Sequence, residues 1–245
     1  MVLLTTAMNI ILIDENEITA DGTVTFRDRR FLHMRDVLRI SSGKQLKIGM
    51  INGLCGIGTV VSENEVEARI AVEFTSPAPK PLDLILIVAL PRPKSLPRLI
   101  QTITSLGAKS IYFINALKVA KDFWSSDYLG EKSVRTACLL GLEQAGDTIL
   151  PQICFRRRFK PFVEDELPAL AIGRSCFVAH PYAETESPQA LDKSLCLALG
   201  PEGGWDSFEL GLLEKTGFTP VKFSRRILRL ETAVTALVAR SIKEL

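Results

Sequence analysis

The sequence has no apolar run long enough to cross a bilayer. A membrane-spanning helix takes about 20 consecutive apolar residues, and charged residues interrupt this 245-residue chain well before that length is reached. The apolar opening MVLLTTAMNIILI has no basic segment ahead of it and no small-residue cleavage site, so it predicts a strand rather than a signal peptide. We therefore expect a cytoplasmic protein that makes no use of a membrane.

The sequence is also poor in histidine and in paired cysteines. Its two histidines, His33 and His180, are too few and too far apart for a metal site or a histidine-dependent catalytic triad. Its cysteines are odd in number, and no two have C-x-x-C spacing. They predict buried thiols of a reduced protein rather than disulfides or zinc ligands. The five positions are Cys55, Cys138, Cys154, Cys176 and Cys196.

The common nucleotide-binding loops are missing as well. There is no G-x-x-x-x-G-K-[ST] segment, which argues against a P-loop nucleotidase. The glycine cluster from Gly53 to Gly58 opens no helix, so it predicts a hairpin turn and not a dinucleotide site. Trp124 and Trp205 are expected to pack in the interior rather than to stack on bases.

Charge is nearly balanced over the whole chain but not along it. The net charge is only +2, whereas residues 27–47 carry seven basic side chains against two acidic ones. Residues 155–160 and 222–229 form two further basic clusters. Such clusters favour phosphate binding. The candidate residues of the first cluster are Arg27, Arg30, Arg35, Arg39 and Lys44.

The pattern of the chain changes near residue 75. Before it, short alternating runs are broken by the pairs Asp21-Gly22, Ser42-Gly43 and Asn52-Gly53, which predict a small β-barrel interrupted by one helix at FLHMRDVLR. The proline-rich FTSPAPKPLD follows. Beyond it the apolar runs LILIVAL, IYFIN, SCFVAH and LCLALG predict strands that alternate with helices, a long one spanning roughly residues 131–145. We therefore predict a barrel over 1–75 and an α/β domain with a parallel sheet over 76–245.

Two segments of the second domain stand out from ordinary α/β sequence. The apolar strand LCLAL runs into Gly200-Pro201-Glu202-Gly203-Gly204-Trp205, after which Asp206 and Glu209 predict the capping box of a helix. Ligands bind at the carboxyl ends of strands in such sheets, and glycine lets the backbone approach them closely. We therefore predict that this turn contacts a ligand.

The second segment, FSRRILRLETA, follows the strand TPVKF and precedes an amphipathic helix. Three arginines stand beside Ile227 and Leu228, so one loop offers both polar groups and an apolar slot. This combination suits a ligand with a flat ring and a polar or anionic partner. A loop that was merely basic would not need the two apolar side chains.

The two segments, about 20 residues apart, together resemble the signature of the small-subunit ribosomal RNA uridine-N3 methyltransferases of the SPOUT superfamily. HMRDVLRISSGKQL, LGAKSIYFINA and the Glu143-Gln144 pair match further motifs of that family, so the resemblance covers the chain. It implies a PUA-like β-barrel followed by a trefoil-knotted α/β methyltransferase domain. It also implies S-adenosyl-L-methionine as cofactor, 16S ribosomal RNA or the small ribosomal subunit as substrate, and a homodimer.

The resemblance also implies roles for individual residues. Arg226 and Arg229 would face the RNA or the target base as catalytic residues, and the first basic cluster, in the barrel domain, would bind the RNA backbone. Glu202 and Glu231 are candidate proton acceptors, with solvent as the alternative. The cofactor-binding residues would be Leu199, Gly200, Glu202, Gly203, Phe223, Ile227, Leu228 and Thr232. The chain departs from the family's usual residues at Thr102, Ser105, Asp147, Ser224 and Leu230. Methylation of another base or of a ribose 2′-hydroxyl, or RNA binding without catalysis, stay open as alternatives.

Overall fold

A computed structural model describes residues 9–243, which divide into two compact units. The first unit runs to Lys80 and also includes Cys138–Leu150, and the second consists of Pro81–Ala137 and the chain from Pro151 onward. The sequence prediction divided the chain after residue 75 and assigned residues 138–150 to the second domain. The part of the predicted N-terminal strand that precedes Asn9 lies outside the described residues.

The first unit is built on a five-stranded sheet in the order β1-β3-β4-β5-β2. Only the β1–β3 pair is parallel, and the other three neighbouring pairs are antiparallel. Asn52, with a φ of 59°, lies in the turn between β3 and β4, where the sequence predicted a hairpin. The strands are β1 (Ile11–Ile13), β2 (Thr23–Phe26), β3 (Gln45–Met50), β4 (Cys55–Glu63) and β5 (Ala68–Ser76).

The predicted helix of the first unit is α1 (Arg29–Asp36). It begins after Asp28, whose side chain accepts a hydrogen bond from the Arg30 N–H and so satisfies a free helix donor. Phe31 and Met34 on its inner face pack into the core of the sheet. The helix ends earlier than FLHMRDVLR predicts, and Arg39 takes up a left-handed conformation with a φ of 48°.

The second unit contains six parallel strands in the order β11-β9-β10-β6-β7-β8. The apolar runs LILIVAL, IYFIN, SCFVAH and LCLALG are strands as predicted, while β8 overlaps the predicted basic cluster 155–160 at Phe155 and Arg156. The strands are β6 (Leu82–Ala89), β7 (Ala108–Ile114), β8 (Gln152–Arg156), β9 (Ser175–Ala179), β10 (Leu195–Leu199) and β11 (Thr219–Val221).

Helices flank and connect these strands. Asp206 and Glu209 form the predicted capping box, and α2 packs against α7. The helices are α2 (Leu96–Ser105), α3 (Glu131–Ala145), α4 (Phe159–Pro161), α5 (Leu167–Ala171), α6 (Ser207–Lys215) and α7 (Leu230–Ser241), with a π-helical turn at Phe162–Glu166. Short 3₁₀ turns occur at Glu15–Glu17, Pro93–Ser95, Lys121–Ser125 and Asp127–Leu129. None of the helices within residues 9–243 has the length and apolarity needed to span a membrane.

The segment Cys138–Leu150 completes the first unit. The Asn9 and Ile10 N–H groups both donate to the Glu143 carbonyl, at 2.9 and 3.3 Å, and the Asn52 N–H donates to the Thr148 carbonyl at 2.8 Å. The Glu143 carboxylate, whose side chain is 2% exposed, receives two hydrogen bonds of 2.8 and 2.7 Å from the Arg29 guanidinium. Backbone groups just before β1 and in the β3–β4 turn are therefore satisfied by a stretch that lies far away in sequence.

The topology of the second sheet brings three strand ends together. Leu199 of β10 pairs with Ala179 of β9, and Val221 of β11 pairs with the same Ala179. Because the three strands are parallel and end at the same level, the loops that follow them meet at one edge of the sheet.

Candidate functional site

A cavity of about 370 Å³ lies at this carboxyl edge of β9, β10 and β11. Its walls come from the loops after these three strands, from Lys118 and from the start of α7. Cavities of a few hundred Å³ are the size that proteins use for small ligands and cofactors. The two segments that the sequence singled out, the turn 200–205 and the loop 223–228, thus face each other across one cavity.

The glycine turn shapes one wall of the cavity by packing against an indole. A Cβ atom placed on Gly200 would lie 3.0 Å from two atoms of the Trp205 ring, closer than side chains normally approach. Trp205 is 7% exposed, and its buried Nε1–H has no partner among the described residues although the residue lines the cavity. Buried donors of this kind are rare without a partner, so the site is suited to a ligand that carries an acceptor.

The loop after β11 forms the opposite wall. Phe223 and Leu228 are partly buried there, while Ile227 is 80% exposed at the mouth of the cavity. Ser224, which stands where the resembling family has glycine, accepts a hydrogen bond of 3.0 Å from the Arg226 N–H and so closes a local turn. This turn positions Arg226 in the wall of the cavity.

The loop after β9 also lines the cavity, and the sequence analysis did not identify it. His180, Pro181 and Tyr182 follow β9 directly, and the His180 N–H donates to the Val221 carbonyl at 2.9 Å. The His180 and Tyr182 rings lie edge to face, with centroids 6.0 Å apart. Polar and aromatic residues directly after a predicted parallel strand were the signal that could have revealed this wall.

A fourth contribution comes from the loop after β7. The Lys118 ammonium donates to the Gly203 carbonyl at 2.7 Å, so this side chain closes over the glycine turn. The buried Glu209 carboxylate holds both loops: it accepts the Leu117 N–H at 2.6 Å and the Asp206 N–H at 2.9 Å. The sequence predicted Glu209 only as a capping residue, whereas the structure shows that it also ties down the neighbouring loop.

Most residues predicted to bind the cofactor line the cavity. They are Leu199, Gly200, Glu202, Gly203, Phe223, Ile227 and Leu228, joined by the predicted catalytic residue Arg226. Thr232 is exposed on α7 and Arg229 is exposed at its N-cap, and neither is part of the lining. Glu202 pairs with Arg92 at 3.1 Å, but both side chains are more than half exposed, so this pair contributes little.

Arg30 has a structural role that differs from the predicted contact with RNA. Its side chain is only 13% exposed, lies over the Phe26 ring and donates to the Leu12 carbonyl. Burial by itself disfavours the charged guanidinium, but hydrogen bonds to Glu17 and Asp28 outweigh it and raise the pKa of Arg30. Because the two carboxylates accept the hydrogen bonds of the guanidinium inside the fold, its donors are not available to a phosphate.

The other basic residues differ in how far they are neutralised. Arg27 pairs with Glu67 and Arg35 with Asp36, in both cases with largely exposed side chains. Arg39 is exposed, and the exposed Lys44 donates to the backbone carbonyls of Leu38 and Arg39. Exposed pairs are weak and exchange readily for phosphate contacts.

The basic cluster 155–160 is mostly used inside the fold. Arg156 pairs with Glu166 at 2.8 Å, and Arg157 donates to the Trp124 carbonyl at 2.9 Å. The sequence prediction counted these arginines as uncompensated because their partners are not adjacent to them in sequence. All five cysteines are free thiols, three of them buried, and no three potential metal ligands come together within residues 9–243.

Residues 78–241 match the family model of an RNA methyltransferase domain. A protein of Treponema pallidum named ribosomal RNA small subunit methyltransferase E is 31% identical over 242 residues, which are 95% of this chain and 90% of that protein. The protein of the same name from Synechocystis is 26% identical over 90% of this chain and 73% of its own length.

Solved structures with the same fold include two that contain a methyl donor. The ribosomal RNA small subunit methyltransferase E of Neisseria gonorrhoeae, bound to S-adenosyl methionine, superposes with a TM-score of 0.73 at 18% identity, over 95% of each chain. A methyltransferase of Legionella pneumophila in complex with the same cofactor has a TM-score of 0.70 at 19% identity, again over 95% of each chain. At these identities the likeness shows a shared fold.

Proposed function

This chain belongs to the RNA methyltransferase family, and from that premise we propose that it transfers a methyl group from S-adenosyl-L-methionine to N3 of a uridine in 16S ribosomal RNA. The observation that carries the proposal is the cavity at the carboxyl edge of the second sheet, in which the turn 200–205 and the loop 222–228 face each other. The motif resemblance and the names of the relatives supply the substrate class.

The residues of the cavity fit the cofactor. Its apolar walls suit the adenine ring, and its edge offers backbone N–H and C=O groups of the glycine turn. Trp205 presents a buried N–H without a partner among the described residues. A Cβ atom on Gly200 would lie 3.0 Å from the Trp205 ring, so only glycine leaves room at this point. S-adenosyl-L-methionine supplies a methyl group bound to a positively charged sulfur.

We assign the wall residues to holding this cofactor. Leu199, Gly200 and Gly203 would offer backbone groups, and Phe223, Ile227 and Leu228 apolar contact. Leu230, which stands where the resembling family has threonine, is buried and adds a further apolar side chain to the lining. Aligning two reactants in this way contributes about 7–11 kcal/mol to catalysis.

Uridine N3 must lose its proton before or during methyl transfer, and we assign two groups of the cavity to that step. Arg226 lines the cavity, where its guanidinium would stabilise the negative charge that develops on the uracil oxygens. The Glu202 carboxylate also lines the cavity and is the proposed proton acceptor, whereas Glu231 is not part of the lining.

Replacement of Arg226 by alanine is expected to lower kcat by about 100-fold, since removal of one preorganised charge-stabilising donor typically has this effect. The dissociation constant of S-adenosyl-L-methionine should be unchanged. Arg98→Ala removes the same charge from an exposed residue of α2 that does not line the cavity and is the matched control, with an expected loss below about threefold. Steady-state kinetics and titration calorimetry measure both. An equal loss in the two variants would contradict the assignment.

The two units take distinct parts in this proposal. The first unit would be a PUA-like barrel that holds the RNA backbone through Arg27, Arg35, Arg39 and Lys44, all of which are exposed. The second would be the knotted catalytic domain, in which the loops after β10 and β11 thread through each other. A homodimer, which the resemblance implies, is part of the same proposal.

The experiment that tests the function is methylation of unmodified small ribosomal subunits with labelled S-adenosyl-L-methionine. The product is digested to nucleosides and identified by mass spectrometry, and 3-methyluridine is the expected result. A methylated ribose or another methylated base would move the target to a different atom. Cofactor binding without any methyl transfer to RNA would leave an RNA-binding protein and overturn the proposal.

A further inference from the structure

A second cavity, of about 660 Å³, adjoins the first at the carboxyl edge of β11. The two cavities share the wall formed by Lys222 to Ser224, Arg226 and Ile227, together with Tyr182. The second cavity extends from this wall to Arg240 near the end of α7 and to Glu186. A molecule in it would therefore lie directly beside the occupant of the first cavity.

The second cavity is strongly basic. Four cationic side chains line it, against one carboxylate, that of Glu186. The cations are Lys222, Arg225, Arg226 and Arg240. Arg240 forms an ion pair with Glu186. Lys222, Arg225 and Arg226 have no carboxylate partner in the part of the chain that the structure describes. Such a concentration of like charge attracts an anion.

Arg240 is only loosely held by Glu186. The closest nitrogen and oxygen are 3.5 Å apart, and the Glu186 side chain is 62% exposed. The Arg240 Nε–H is buried and has no acceptor among residues 9–243. A weak, exposed pair contributes little energy, so an anion that also satisfied Nε would displace the carboxylate easily.

We propose that this second cavity is a phosphodiester subsite, which binds the RNA backbone and one base next to the target nucleotide. Glu186 pairs with Arg240 in the absence of RNA, and the RNA phosphate takes the place of the Glu186 carboxylate. The inference rests on the proposed function and adds to it a position for the substrate. Tyr182 and Phe223 line the same cavity and offer aromatic faces on which an unpaired base stacks.

A carboxylate is the other anion that this cavity could take, and the methyl donor carries one. That carboxylate is accompanied by an ammonium group on the neighbouring carbon, which four cations would repel. A phosphodiester has no such group. Charge complementarity therefore favours RNA over the amino-acid end of the cofactor.

Binding of a fluorescent single-stranded oligouridylate to the full chain, followed by anisotropy over a series of salt concentrations, tests the proposal. Arg225→Gln is expected to weaken binding about 3- to 10-fold and to lower the slope of log affinity against log salt by about 0.7, the value for one lost phosphate contact on a single strand. Glu186→Gln is expected to strengthen binding about 2- to 5-fold, because the competing carboxylate is gone.

Two controls separate this effect from a general loss of charge. Arg98→Gln removes an exposed arginine of α2 that lines neither cavity, and it should leave both affinity and salt slope unchanged. In an Arg240→Gln background, Glu186→Gln should no longer strengthen binding, since the two residues act as a coupled pair. Thermal unfolding of each variant verifies that it is folded.

Titration calorimetry with S-adenosyl-L-methionine tests the alternative, in which the second cavity binds the carboxylate of the methyl donor. Unchanged cofactor affinity in Arg225→Gln, together with weaker RNA binding, supports the subsite. Weaker cofactor binding with unchanged RNA affinity would assign the cavity to the carboxylate of the methyl donor and overturn the proposal, as would unchanged RNA affinity in a folded Arg225→Gln variant. Failure of the proposed function is distinguishable, because the unmodified chain itself would then methylate no RNA.

Discussion

Gly200→Val is expected to weaken the binding of S-adenosyl-L-methionine by about 100-fold or more, which corresponds to roughly 2.8 kcal/mol. A Cβ at this position lies 3.0 Å from the Trp205 ring, and valine adds two further carbons. The indole is buried and cannot move away without disturbing its neighbours, since interiors are close-packed. The added methyl groups would also occupy cavity space next to the glycine turn.

Gly211→Val is the matched control for this change. Gly211 lies in α6, and a Cβ placed on it meets no atom within 4 Å. We expect this variant to bind the cofactor as the unmodified chain does. Titration calorimetry measures both affinities, and circular dichroism verifies the fold. Cofactor affinity that is unaltered in Gly200→Val would show that the methyl donor binds elsewhere.

Arg29→Ala is expected to lower the free energy of unfolding by about 3–5 kcal/mol, the usual cost of leaving a buried ion without its partner. The Glu143 side chain is 2% exposed and receives both hydrogen bonds from the Arg29 guanidinium. Burial lowers the pKa of the nearby His33, and the positive charge of Arg29 lowers it further.

Arg35→Ala is the control, because Arg29 and Arg35 lie on the same helix and have side chains that are both 45% exposed. The partner of Arg35 is Asp36, which is 55% exposed, so the loss should stay below about 1 kcal/mol. Urea denaturation followed by circular dichroism gives both values. Equal losses in the two variants would show that the burial of Glu143 does not increase the contribution of its ion pair to the free energy of unfolding.

Local patterns predicted much of the second unit correctly. The apolar runs became β6, β7, β9 and β10, and the predicted helix over residues 131–145 is α3. The capping box at Asp206 and Glu209 is present because it depends only on residues three positions apart. These features rely on the hydrophobic period and on local hydrogen bonds, which neighbouring residues determine.

Features that depend on distant residues escaped the same reasoning. Arg30 and Arg156 were interpreted as free cations, yet Glu17 and Glu166 neutralise them. The short β8 was not recognised, since it has only five residues and its end overlaps the basic cluster 155–160. His180 and Tyr182 were not assigned to the site because nothing in their own sequence indicates which strand lies next to β9.

From the sequence alone one could predict most strands of the second unit, the two turns that carry the signature residues, and the family. The tertiary structure alone decided that Lys118 and the loop after β9 help to enclose the cavity, and that residues 138–150 complete the first unit. The physical reason is the separation along the chain over which each kind of interaction acts. Turn and helix signals act over a few residues, whereas strand order and the pairing of buried charges depend on groups about 100 positions apart, such as Arg29 and Glu143.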